Sequence, residues 1–110
     1  MSMLIDVGRL DQWLEHERAV SMPDANGLIE VTWQPLGRLW AEVNVQGGQG
    51  LREAERQTAR LSYALSVSAG SDCIEGDRLI WKGRILAVVA VLPDAIDPRF
   101  IQLLCSETRP

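Results

Sequence analysis

Short apolar or alternating runs, cut by Gly, Pro, Asn and Asp at intervals, fill the chain from Leu28 to Cys105. That punctuation suits strands of a small sheet protein and leaves no room for the long uninterrupted periods of a helical bundle. All-β is therefore the expected class. Lys82-Gly83 between Asp77 to Trp81 and Arg84 to Leu92 has the length and glycine placement of a two-residue hairpin loop. Ser21-Met-Pro-Asp-Ala-Asn-Gly27 concentrates residues that favour tight or left-handed backbone, so the first segment is expected to turn back there into Leu28 to Trp33. Pro35 is expected to interrupt that strand.

Inside and outside can be read along the same runs. Leu39, Ala41, Val43 and Val45 share one face and Trp40, Glu42, Asn44 and Gln46 the other; Leu61, Tyr63, Leu65 and Val67 alternate with Ser62, Ala64, Ser66 and Ser68. The continuous Ile85 to Leu92 suggests a strand covered on both faces, in the interior of a barrel or between subunits. Phe100 to Cys105 has few polar positions and reads the same way, while Ser106 to Pro110 is expected to fray. Between the alternating strands, Gln46-Gly-Gly-Gln-Gly50 breaks the chain. Leu51 to Arg60 is rich in helix formers, and Arg52 with Glu55 and Glu53 with Arg56 fall three apart, so a short helix is expected there. The N-terminal segment is open: Leu10, Trp13 and Leu14 have helical spacing, yet Trp13, Glu15, Glu17 and Ala19 equally form one face of a strand.

With 110 residues the chain makes one domain. Fifteen acidic residues against eleven basic ones give a net charge of −4, the wrong sign for a protein that wraps the DNA backbone. All the basic residues except Lys82 are Arg, a side chain that forks onto carboxylates at subunit contacts. No signal peptide is visible at Met1 to Val7, and the eight apolar residues Ile85 to Leu92 fall short of the roughly twenty that a membrane-spanning helix needs. A soluble protein made in a reducing cytoplasm is expected. Cys73 and Cys105 form no CxxC pair and have no second His beside them, so neither zinc nor another cofactor is expected.

Candidate chemistry is sparse. His16, the sole histidine, lies between Glu15 and Glu17 without an apparent nucleophile or orienting partner, and is read as a partly exposed strand residue. Glu15, Glu17 and Glu30 can gather across paired strands, but surface carboxylates on the polar face of a sheet account for them more simply. Gly47-Gly48-Gln49-Gly50 ahead of a helix resembles an anion cradle, yet it lacks the Lys-Ser/Thr of a P-loop and does not fit GxGxxG. Four tryptophans, Trp13, Trp33, Trp40 and Trp81, are many for such a chain and serve as core anchors or interface hot spots. Trp40, opposite the apolar face of its strand, is expected at an interface.

The chain resembles the head-tail joining proteins, or head-closure (stopper) proteins, of long-tailed bacteriophages and related gene transfer particles. The resemblance is carried by Gly8-Arg-Leu10, Asp24-Ala-Asn-Gly27 before Val31-Thr-Trp33, Leu39-Trp-Ala-Glu-Val43 and Glu53-Ala54. Further on it is carried by Asp77-Arg78, Trp81-Lys-Gly-Arg84, Ile85 to Val91 and Ile101-Gln-Leu-Leu-Cys105. Where the family tends to carry basic residues, this chain has Asp11-Gln12-Trp13 and Leu61 to Val67. The resemblance implies a small antiparallel, SH3-like β-barrel with a long insertion loop (residues 46–60), and it tips the N-terminal segment toward a strand. It implies structural work and no catalysis: a ring of roughly twelve copies at the head-tail interface of a virion, assembled in the bacterial host cytoplasm. The ring would stack on a portal or adaptor ring, receive a tail terminator or tail tube protein, and pass genomic DNA without sequence-specific binding or any contact with a membrane. Gly47, Gly48, Gln49, Gly50, Arg52 and Glu53 become candidates for a channel loop, and Trp40, Glu42, Arg52, Arg56, Arg60 and Phe100 for ring interfaces. Tail-completion or adaptor proteins of the same neck, a free-standing SH3-like binding module, and an enzyme built on His16 with Glu15 or Glu30 are the competing readings.

Overall fold

Six strands make up the regular structure of the computed structural model, which describes residues 10–46 and 59–109. They are β1 (Gln12–Pro23), β2 (Ile29–Val45), β3 (Ala59–Ser68), β4 (Arg78–Trp81), β5 (Arg84–Pro93) and β6 (Phe100–Arg109). Every pairing is antiparallel, in the order β1-β2-β3-β6-β5-β4. The sheet closes on itself where Glu15, His16 and Glu17 of β1 pair with Ile80, Leu79 and Arg78 of β4. Among the described residues there is no helix. The ambiguous first segment is thus a strand, and its two readings could be separated only by the partners that β2 and β4 supply.

Alternation places the core inside the ring. Leu14, Ala41, Tyr63, Leu65, Val67, Leu79, Leu86, Val88, Leu103 and Cys105 pack together in the buried cluster, with Leu39, Val43, Trp81 and Val91 at its margins. Val45, expected on the same face, is exposed at the end of β2. Tyr63 meets Trp81 edge to face, with centroids 6.1 Å apart, a geometry that sets the ring edge against the partner's π face. Its hydroxyl donates to Glu107 Oε1 (2.6 Å) and accepts from Arg84 Nη1 (3.1 Å).

Both expected turns form. Lys82 and Gly83 have φ of 52° and 81°, the left-handed pair that lets a two-residue loop follow the twist of its strands. At the other hairpin, Asp24 Oδ1 accepts from the backbone N–H of Asn26 (2.8 Å) and Leu28 (2.9 Å), and Gly27 takes φ 83°.

Three strand limits differ from expectation. Pro35 does not end a strand: β2 runs through it, with Gly37 opposite His16 and Pro35 opposite Glu17, so Leu36 is the extra residue of a bulge. Proline is tolerated here because β3 does not begin to pair with β2 until Ala41, leaving that edge without a described partner. The expected helix over Leu51 to Arg60 lies mostly outside the described residues, and its last two positions, Ala59 and Arg60, instead open β3 opposite Arg109 and Thr108. Ser106 to Arg109 do not fray, since β6 holds register with β3 to its end and Ser106 also faces Ala87 of β5.

The continuous apolar run of β5 has a local cause. A register shift between Val88 and Ala90 makes Val89 an extra residue. The inward positions therefore step from Leu86 and Val88 to Val91, opposite Leu103, and a strand that changes phase needs apolar residues at both parities. Its exterior is not covered within the chain: Ile85 and Val89 are exposed. Among the described residues no helix is long and apolar enough to cross a membrane.

Candidate interaction surface

Beyond the ring, β1 and β2 continue as a two-stranded ribbon. Among the described residues, β4 meets β1 only at residues 15–17 and β3 meets β2 only at 41–45, so the ribbon past Arg18 and Gln34 projects with both outer edges open. Directly opposed residues of an antiparallel pair share a face, and the register sorts the ribbon into two. One continues the exterior of the ring: Trp13 opposite Trp40, Glu15 opposite Arg38, Ala19 opposite Trp33, Ser21 opposite Val31 and Pro23 opposite Ile29. Three of the four tryptophans thus stand on a single exterior face. Trp40 is 55% and Trp13 42% exposed. The Arg38 guanidinium lies 4.2 Å from the centre of the Trp13 ring, and that of Arg78 4.2 Å from Trp33 while its Nε donates to Glu17 (2.7 Å). Such stacks present a flat surface of ring and weakly hydrated guanidinium, and both residue types are enriched at protein contacts.

The ribbon's other face is anchored at its base. Asp77, 1% exposed, accepts from His16 Nε2 at 2.6 Å, from Arg18 Nε and Nη2 at 2.9 Å each, and from the backbone N–H of Ile74 at 3.1 Å. Arg18 Nη2 also donates to the Asp72 carbonyl (2.7 Å). Burial alone would raise the Asp77 carboxyl, but the hydrogen bonds from Arg18 and His16 prevail and hold it down at about 2. Its own bond to Asp77 pushes the Arg18 guanidinium up. His16 is accordingly buried and oriented by a carboxylate, contrary to the reading of it as a partly exposed strand residue. Sixty-one residues separate it from Asp77, and no local pattern marks such a pair.

His16, Cys73 and Asp77 bring their ligand atoms within 4.8 Å of one another. Burial first, and then the charge of Asp77, push the Cys73 thiol up to about 12. Both Asp77 oxygens are already engaged, and a cation would have to displace the Arg18 guanidinium beside them. The cluster is an ion-pair network that ties the ribbon to the loop before β4.

The expected site residues scatter. Trp40 stands on the exterior face, and Glu42, half-buried, follows two residues on and faces Ser66. Phe100 is covered within its own chain, with the Arg99 guanidinium 5.9 Å from its ring. Arg60 lies in β3. Gly47, Gly48, Gln49, Gly50, Arg52, Glu53 and Arg56 fall outside the described residues. The acidic trio does not gather: Glu15 faces Arg38, Glu17 pairs with Arg78, and Glu30 lies opposite Met22 near the ribbon tip. Sequence reasoning left Trp13 and Trp33 open between core and interface, and their shared face with Trp40 becomes visible only once the hairpin register is known.

A closed antiparallel sheet whose most distinctive surface is an exposed tryptophan–arginine ribbon defines a protein that works by contact. The chain belongs to the phage head completion protein family, whose sequence model matches residues 5–108. It is therefore a structural head-completion component of a virion, acting in association with other virion proteins. Solved structures share the fold. A chain from the virion of a native gene transfer agent particle has TM-score 0.69 at 22% identity, over 89% of this chain and 94% of that one. Protein SF1141 from Shigella flexneri 2a has TM-score 0.69 at 23% identity, over 94% and 96%. Protein xkdH of the phage-like element PBSX from Bacillus has TM-score 0.54 at 12% identity, over 87% and 92%. Among curated proteins no sequence matches.

Proposed function

We propose that this protein forms a ring of roughly twelve copies between a portal or adaptor ring and the tail, where it closes the filled head, retains DNA and presents the tail-docking surface. The observation that carries this reading is the family match across almost the whole chain, supported by an exposed Trp–Arg face with no role in the chain's own core. On this reading the six-stranded ring is an SH3-like barrel, assembled into particles in the bacterial host cytoplasm. The segment 46–60, with Gly47, Gly48, Gln49, Gly50, Arg52 and Glu53, faces the channel. Trp40, Glu42, Arg52, Arg56 and Arg60 serve contacts between rings or subunits. A net charge of −4 suits a duct along which DNA slides, because acidic groups repel phosphates instead of holding them. The test is electron microscopy of particles assembled without this protein. Full heads that leak DNA and carry no tails are expected; tailed, stable particles would refute the proposal.

A further inference from the structure

Among the described residues, two apolar exterior surfaces of the sheet have no cover, and strand order sets them on opposite sides. From β2, β5 is three strands away whichever way the ring is followed. One surface is the outer half of the ribbon, where Val31 is 53% exposed and Ile29 more so; the other is the exterior of β5, where Ile85 and Val89 are each 50% exposed. A two-stranded ribbon is marginal in water unless a third layer covers it, and apolar patches of this kind mark contact sites. Opposed, non-identical patches are the geometry of a head-to-tail contact, in which each copy offers one surface and receives the other. The charges at their ends are complementary. The outer half of that ribbon face carries no charge and finishes at the exposed Asp24 of its turn, whereas the β5 surface finishes at Lys82, exposed at the turn with its Nζ 5.2 Å from the Trp81 ring.

We infer that the occupant of the ribbon is a second copy of this chain: the exterior face of the β1–β2 ribbon, through Ile29, Val31 and Trp33, packs on the exterior of β5 of the next copy, through Ile85 and Val89, with Lys82 toward Asp24. This inference deepens the ring reading and rests on it by naming the two faces that meet. Arg78, stacked on Trp33 and bonded to Glu17, holds the base of the ribbon at a fixed angle, and that angle sets the rotation from one copy to the next.

The test is sedimentation and native mass spectrometry of the full chain up to millimolar concentration, with Val31→Arg, Val89→Glu and, on the opposite ribbon face, Thr32→Arg. All three positions are exposed, so the fold should survive, which circular dichroism checks. Self-association is expected in the unmodified chain and in Thr32→Arg, and a loss of tenfold or more in each of the other two. An equimolar mixture of Val31→Arg and Val89→Glu should form the pairs that neither variant forms alone, because each supplies the face the other lacks. A chain that stays monomeric, or associates equally well as Val31→Arg or Val89→Glu, overturns the inference. So does a mixture that yields no pairs, which would give the ribbon to a different virion protein. None of these results touches the ring reading, which falls instead if stable tailed particles form without the protein.

Discussion

Replacing Asp77 by Asn keeps the shape of a buried side chain and removes the charge on which His16 and Arg18 converge. The cost can be worked from the carboxyl itself, held at about 2 against an ordinary 3.8. A gap of roughly 1.8 units, at 1.36 kcal/mol each, makes about 2 kcal/mol of stability contingent on the ionised form. Arg18, whose side chain is 29% exposed, can turn to solvent when its partner is lost, so the penalty should fall below the ~3–5 kcal/mol of a fully enclosed broken pair. The sign follows from the direction of the shift. A depressed carboxyl stabilises the fold fully above pH 3.8 and loses that contribution as pH falls through 2. Urea unfolding at pH 7 should show Asp77→Asn weaker by about 2 kcal/mol, a drop of roughly 10 °C in Tm for a domain of this size. The gap between the two proteins should close on titration toward pH 2. A variant within ~0.5 kcal/mol of the parent at pH 7, or a gap unchanged between pH 7 and pH 2, would refute the reasoning.

Tyr63→Phe removes the hydroxyl between Glu107 and Arg84 and should cost about 1–2 kcal/mol in thermal unfolding; an unchanged Tm would mean that the buried carboxylate finds another donor. Gly83→Ala forces a side chain into φ 81° and should cost about 1–2 kcal/mol, measurable in urea, whereas a neutral result would show that the turn adopts a different geometry. Cys73 and Cys105 are buried, and burial pushes both thiols up to about 12. A thiol reagent at pH 8 should therefore label neither in the native protein and both after denaturation, and rapid native labelling would contradict the packing.

Inward and outward positions were legible from the sequence wherever a strand kept one phase. Leu61 to Val67 and Leu39 to Val43 show it, since the period of two is local and burial enforces it. The turns at Asp24 to Gly27 and Lys82-Gly83 were legible too, because their residues meet a backbone demand within four positions. The closure of β1 on β4, the passage of β2 through Pro35, the phase change at Val89 and the union of His16 and Arg18 with Asp77 were not. Each depends on pairing between segments far apart along the chain, which no short window of sequence records. The tryptophans divide on the same ground. The sequence left the four open between core and contact, with only Trp40 expected at an interface; strand register turned Trp13, Trp33 and Trp40 to one exterior face and left Trp81 against the core, because the face a strand residue occupies is set by the partner it pairs with.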